Sequence, residues 1–123
     1  MNITCHSEIG KIKSLFIKNA QEAFINDEHI ERYWKQLNYL SQPDLSGALD
    51  EYKNFESILQ QHVTEIFHLP RDERVNMDSI YCRDASIATD KGMIICNMGK
   101  AARMHEPLAE KKSFEANGIT ILA

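Results

Sequence analysis

Little in this chain suits it to nucleic acid or to a membrane. Across 123 residues, 18 acidic side chains outnumber 14 Lys and Arg, for a formal charge of −4. The basic stripe that gives a DNA- or RNA-binding protein its electrostatic footprint is missing. No apolar run approaches the roughly 18–20 residues of a membrane span. The opening Met-Asn-Ile-Thr-Cys-His lacks the charged-then-apolar order of a signal peptide. Cysteine is sparse: Cys5, Cys82 and Cys96, with no C-x-x-C spacing. An odd, scattered set of this kind points to reduced thiols and a cytoplasmic home. The histidines are scattered too, whereas zinc sites want N and S ligands in paired spacings. No metal and no cofactor is expected. Internal repeats, linkers and low-complexity segments are also lacking.

What remains is ordinary for one soluble globular domain spanning residues 1–123: 43% apolar and 26% charged residues. Ser14–Lys18 reads as a short buried strand. From Asp27 to Leu40, Ile30, Tyr33, Trp34, Leu37 and Leu40 recur at helical steps, with Asn26 or Asp27 able to cap. Trp34 at this spacing belongs to the core rather than to a ligand. Gln42-Pro43-Asp44 breaks the chain before a second amphipathic helix, about 46–62. Glu65–Leu69 is the next strand, stopped by Pro70, and the polar residues 71–76 form a loop. A third helix runs from about Pro107 to Asn117, with Gly118 as its left-handed stop. Ile119–Leu122 begins another strand. Alternating helices and strands make an α/β protein.

The most informative stretch is Asp78-Ser79-Ile80-Tyr81-Cys82-Arg83-Asp84-Ala85-Ser86-Ile87, followed by Met98-Gly99-Lys100-Ala101-Ala102-Arg103. Two apolar runs, 86–89 and 93–96, flank the turn-forming Asp90-Lys91-Gly92 and predict a β-hairpin. Counting outward, Asp84 falls opposite Asn97 or Met98, and Arg103 emerges over the same sheet edge. A carboxylate there can grip a guanidinium through two parallel N–H···O bonds. Arg103 can do the converse for a substrate carboxylate. That use requires Asp84 and Arg103 to face a shared hollow wide enough for an amino acid between them. On residue types alone the commoner arrangement is plainer: Arg83 or Arg103 paired with Asp84 or Glu106 at the surface.

The run D-S-I-Y-x-R-D-A-S-I, then G-K-A-A-R-x-x-E, resembles the amino-terminal signature of the guanidine-modifying enzymes. These are the arginine deiminases, the dimethylarginine dimethylaminohydrolases and the glycine amidinotransferases. The resemblance extends from about Ile9 to the end of the chain. It implies the first part of a five-bladed α/β propeller built of ββαβ units, incomplete here. It also implies chemistry on the guanidino group of arginine or a derivative through a covalent cysteine intermediate. By position, Asp84 resembles the family's catalytic, guanidinium-binding aspartate, and Asp78 the upstream aspartate near the substrate. Arg103 resembles the arginine that holds the substrate carboxylate. Arg83 stands where the deiminases and amidinotransferases carry Arg and the dimethylarginine hydrolases carry Glu. Cys82 falls at a variable position and is not expected to be a nucleophile.

The family's nucleophilic cysteine and catalytic histidine lie further along a much longer chain. This sequence therefore resembles the amino-terminal piece of such an enzyme and is expected to be inactive alone. Its expected ligand is a small arginine-like guanidino compound, and unpaired sheet edges should favour self-association. An alternative is a non-catalytic module that binds a guanidino ligand or a partner protein. A third is an unrelated small α/β protein in which the motif is coincidental.

Overall fold

A computed structural model describes residues 7–123. Cys5-His6 and the amino-terminal pattern lie outside the described residues. The mixed α/β character expected from the sequence holds. Among the described residues there are two two-stranded sheets, and the helices between their strands carry much of the core.

The first sheet pairs β1 (Ser14–Ile17) in parallel with β2 (Glu65–His68). Register places Phe16 opposite Phe67, and their rings stack with centroids 5.0 Å apart. Phe114 meets Phe16 edge-on at 5.0 Å, tying this sheet to the last helix. Parallel strands need a crossover, and here it holds three helices. The five-residue α1 (Ala20–Phe24), capped by the Asn19 side chain, was not expected from the sequence. α2 (Asp27–Tyr33) begins at its Asn26 cap. α3 (Leu45–His62) begins at Asp44, whose carboxylate accepts the Gly47 N–H at 2.7 Å.

The long helix expected over Asp27–Leu40 is shorter. Helical hydrogen bonds run to Leu37, and the chain then turns at Asn38, which has φ 67°. The amides of Asn38 and Tyr39 bond back to Lys35 and Trp34, a closure in which a left-handed residue satisfies the last carbonyls. Leu40 is thereby thrown into solvent, fully exposed, instead of completing the apolar stripe. Trp34 does pack on the core of Ala20, Phe24, Ile30, Leu37 and Met77. Along α3, Leu45, Leu49 and Tyr52 rest on this core, while Phe55 remains half exposed.

β3 (Ser86–Thr89) and β4 (Gly92–Ile95) form the expected antiparallel hairpin. Its turn is tighter by one residue, because Thr89 pairs with Gly92 and only Asp90 and Lys91 lie between. Gly92 has φ 150°, and a Cβ there would sit 2.7 Å from the Thr120 carbonyl oxygen. Glycine is needed for that close approach. The strand expected at Ile119–Leu122 contributes one bridge, Ile121 to Met93, supported by backbone bonds along β4. α4 (Glu106–Ala116) ends as expected at Gly118, φ 72°, where Ile119 N–H reaches back to the Phe114 carbonyl. No helix among the described residues is long and apolar enough to cross a membrane.

Candidate functional site

The hairpin brings the two halves of the motif together. Beyond the last ladder pair, Cys96 N–H donates to the Ala85 carbonyl at 3.0 Å. Asp84 and Asn97 thus leave the sheet at one edge, in agreement with the register read from sequence. Upstream of Asp84 the chain makes two short 3₁₀ turns, Met77–Ile80 and Cys82–Asp84; downstream it makes a third, Ala101–Arg103. Asn76 fixes the two segments against each other. Its side-chain oxygen caps the first turn by accepting the Asp78 N–H, and its Nδ2 donates to the Ala102 carbonyl at 2.6 Å.

Arg103 lies at the centre. Nη1 and Nη2 donate to the two oxygens of Asp84, both at 2.8 Å. Nε and Nη2 donate to the two oxygens of Glu106, also at 2.8 Å, and Nη2 reaches the Tyr81 carbonyl at 3.2 Å. Two edges of one planar guanidinium are therefore each engaged by a carboxylate, the geometry in which charge-assisted bonds are strongest. The edges differ in surroundings: the Glu106 side chain is 3% exposed and the Asp84 side chain 36%. Arg103's hydrogen bonds hold the Asp84 carboxyl below its ordinary range, opposed by partial burial and assisted by the nearby charges of Arg103 and Arg83. The same two acids, Glu106 first, push the Arg103 pKa up.

A hollow wide enough for an amino acid between Asp84 and Arg103 is not what the structure has. The two side chains touch, because the 3₁₀ turn at Ala101–Arg103 carries the guanidinium straight back over the Asp84 end of the hairpin. Arg83 is exposed beside them. Asp78 has another environment. It is 4% exposed, next to the fully buried Met77, and accepts Lys100 Nζ at 2.7 Å. Lys100 also donates to the Leu37 carbonyl at 2.8 Å, so this ion pair closes the core end of α2. The Tyr39 hydroxyl is buried beside Asp78, and desolvation, reinforced by that carboxylate, pushes its pKa up.

Sequence inspection did not single out a second buried acid. Glu110, one helical turn beyond Glu106, is 4% exposed and accepts the Ser86 hydroxyl at 2.9 Å. Burial pushes its pKa up to about 7, and the charges of Glu106 and Asp84 add to the effect. Lys18, Ser79, Glu106 and Glu110 line a cavity of ≈ 20 Å³ beneath the Arg103 cluster. Lys18 donates to the Pro70 carbonyl at 2.6 Å, and desolvation lowers its pKa. The available signal was the four-residue spacing of Glu106 and Glu110 on a helix, which puts both on one face. Burial, with the Glu110 charge next in effect, pushes the Cys82 thiol up to about 11. A thiol so held is a poor nucleophile, in line with its variable position in the motif. No cluster of His, Cys, Asp and Glu suited to a metal ion occurs among the described residues.

No protein-family model matches the chain, and no curated protein matches it. Among solved structures, its fold is similar to part of one enzyme. That enzyme is DDAH, dimethylarginine dimethylaminohydrolase, from Pseudomonas aeruginosa, in a cysteine-to-serine mutant complexed with citrulline. The TM-score is 0.64 at 23% identity, over 88% of this chain and 39% of that one. The chain thus spans about two fifths of the length of the structure it matches. The resemblance read from the D-S-I-Y-x-R-D and G-K-A-A-R-x-x-E runs is met at the level of fold.

Proposed function

We propose that this chain provides the acidic, guanidinium-binding part of an enzyme that acts on the guanidino group of arginine or a derivative. One observation carries the proposal: Asp84, at the open end of the hairpin, already holds a guanidinium bidentately, both bonds 2.8 Å. The DDAH fold supports it. In this reading the described segment forms the first part of an α/β propeller. Asp84 holds the substrate's guanidinium and balances its charge while a cysteine thiolate attacks the guanidinium carbon. The attack gives a tetrahedral adduct; a histidine protonates the nitrogen that leaves, the C–N bond breaks, and a thiouronium intermediate remains. Water, giving up a proton to that histidine, or an acceptor amine then adds to the same carbon, and the C–S bond breaks to release a ureido product or the transferred amidino group with return of the thiolate. Arg103 orients the substrate through its carboxylate, Asp78 supports the wall of the site from below, and Arg83 adds positive charge at the rim. Cys82, half-buried and raised in pKa by its surroundings, is not assigned as that nucleophile.

Titrating the chain with L-arginine and following its amide NMR signals tests the assignment. Asp84→Asn should weaken binding by about tenfold or more, equivalent to about 1.4 kcal/mol, with the signal dispersion of the folded chain retained. Equal affinity in the two proteins would remove Asp84 from the site.

The alternative, a non-catalytic binding or interaction module, draws support from strand edges that no further strand covers among the described residues, those of the β1–β2 sheet and the β3 edge of the hairpin. Such edges recruit further strands. Sedimentation in dilute solution should show a concentration-dependent oligomer, and a monomer at every concentration would count against self-association.

A further inference from the structure

In the site described above, the guanidinium held by Asp84 belongs to the chain itself. Only one edge of Arg103 is free to let go. The Glu106 edge is anchored on a carboxylate that is 3% exposed, whereas the Asp84 edge opens on a carboxylate that is 36% exposed. That outer edge, Nη1 and Nη2, is also the one a substrate carboxylate would need. Arg103 and a substrate guanidinium therefore compete for Asp84, and Asp84 and a substrate carboxylate compete for Arg103.

We infer that Arg103 is the resident occupant of the Asp84 site, and that a ligand enters by a double exchange of ion-pair partners. The ligand's guanidinium replaces Arg103 on Asp84 while its carboxylate replaces Asp84 on Arg103. Glu106 keeps the inner edge and serves as the pivot, and the outer edge swings away from Asp84 to open the room that the closed pair lacks. The inference rests on the proposal that Asp84 binds a guanidinium and Arg103 a carboxylate, and it adds what occupies the site before such a ligand enters. A ligand with both groups leaves every charge partnered. One with a guanidinium alone strips Arg103 of its outer partner, and a carboxylate alone strips Asp84. Discrimination then comes from the partner left unpaired rather than from an added contact.

Arginine and agmatine, which carry the same guanidinium with and without a carboxylate, are the probes. Their affinities are measured by NMR titration on the wild-type chain and on Arg103→Met/Glu106→Gln, which removes the resident guanidinium together with the charge it neutralises. Arg103→Lys, a cation without the flat fork, is the companion variant should the double change impair folding. Wild type should bind arginine about tenfold more tightly than agmatine. In the double variant agmatine should gain about tenfold and arginine should lose affinity, reversing the order. In Arg103→Lys, agmatine should gain by a smaller factor. The Asp84 carboxyl, followed by ¹³C NMR, should return toward its ordinary pKa in the double variant. If wild type binds arginine but agmatine gains nothing in either variant, the exchange is refuted and the guanidinium-binding proposal stands. An Asp84 titration that does not move would also refute it. If no protein binds either probe, the proposal for Asp84 itself fails and takes the exchange with it.

Discussion

Replacing Arg103 with methionine should destabilise the fold by about 3–5 kcal/mol, because it leaves a buried carboxylate without its counter-charge. That carboxylate is Glu106, whose side chain is 3% exposed and whose two oxygens accept from Arg103 at 2.8 Å. The Asp84 half contributes little to the loss, since water can take over a carboxylate that is 36% exposed. A loss of this size is a large part of the roughly 5–15 kcal/mol that holds a typical domain together. In urea the unfolding midpoint should fall while the slope stays constant. Glu106→Gln in the same chain should restore most of the loss, because a neutral amide costs far less to bury than an unpaired charge. Arg103→Lys should fall between, keeping the charge but losing the flat fork that meets two acids at once. Equal destabilisation in the single and double variants would show that Arg103 works through packing of its stem and not as the counter-ion of Glu106.

This cluster also marks how far the sequence could be read. Hairpin and register were legible because β-branched runs on both sides of Asp90-Lys91-Gly92 fix the alternation, and Asp84 emerged opposite Asn97 as counted. The Gly118 stop was legible for a similarly local reason: only one residue type takes that backbone conformation freely. Asn38 does the same work at the end of α2, but an asparagine inside a helical apolar pattern is a weak stop signal, so the stripe seemed to run on to Leu40. Five residues of α1 give too short a window for periodicity to register. The separation of Asp84 and Arg103 lay beyond reach for a different reason. A motif and a register locate two side chains on one edge, whereas their distance depends on the 3₁₀ turn before Arg103. That both ends of the Arg103 guanidinium would be engaged followed only once Glu106 proved to be buried at the start of α4. The plain ion pair is the arrangement the structure has, and the proposed substrate-holding one would use the same side chains.

The pH dependence of stability should carry the mark of Glu110. Its pKa lies near 7 in the folded chain against an ordinary 4.5, because burial disfavours the carboxylate and the Glu106 and Asp84 charges add to that. Between these two values the folded chain binds more protons at this position than the unfolded one, so stability must fall as pH rises. The contribution is fully present below about pH 4.5 and is lost as pH passes about 7. Its size follows from the same displacement, about 3.5 kcal/mol in full at roughly 1.4 kcal/mol for each pH unit. Asp72, lowered to about 2 by hydrogen bonds from Arg74, acts in the opposite sense. Its stabilisation is present above the ordinary value of 3.8 and lost as pH falls toward 2, outside the Glu110 window. His29 does overlap the window. Desolvation lowers its pKa, so near its ordinary 6.5 it adds stability as pH rises and partly masks Glu110. The comparison must therefore be between the wild type and Glu110→Gln, measured by urea unfolding at pH 5 and pH 8. Glutamine keeps the shape and can still accept the Ser86 hydroxyl, but it does not titrate. The wild type should lose stability relative to the variant on going from pH 5 to pH 8, by about 2.5 kcal/mol of that total, leaving the variant the more stable at pH 8. A stability difference that stays constant across the range would mean that Glu110 ionises as an exposed glutamate does, and that the cavity below Arg103 admits enough water to solvate it.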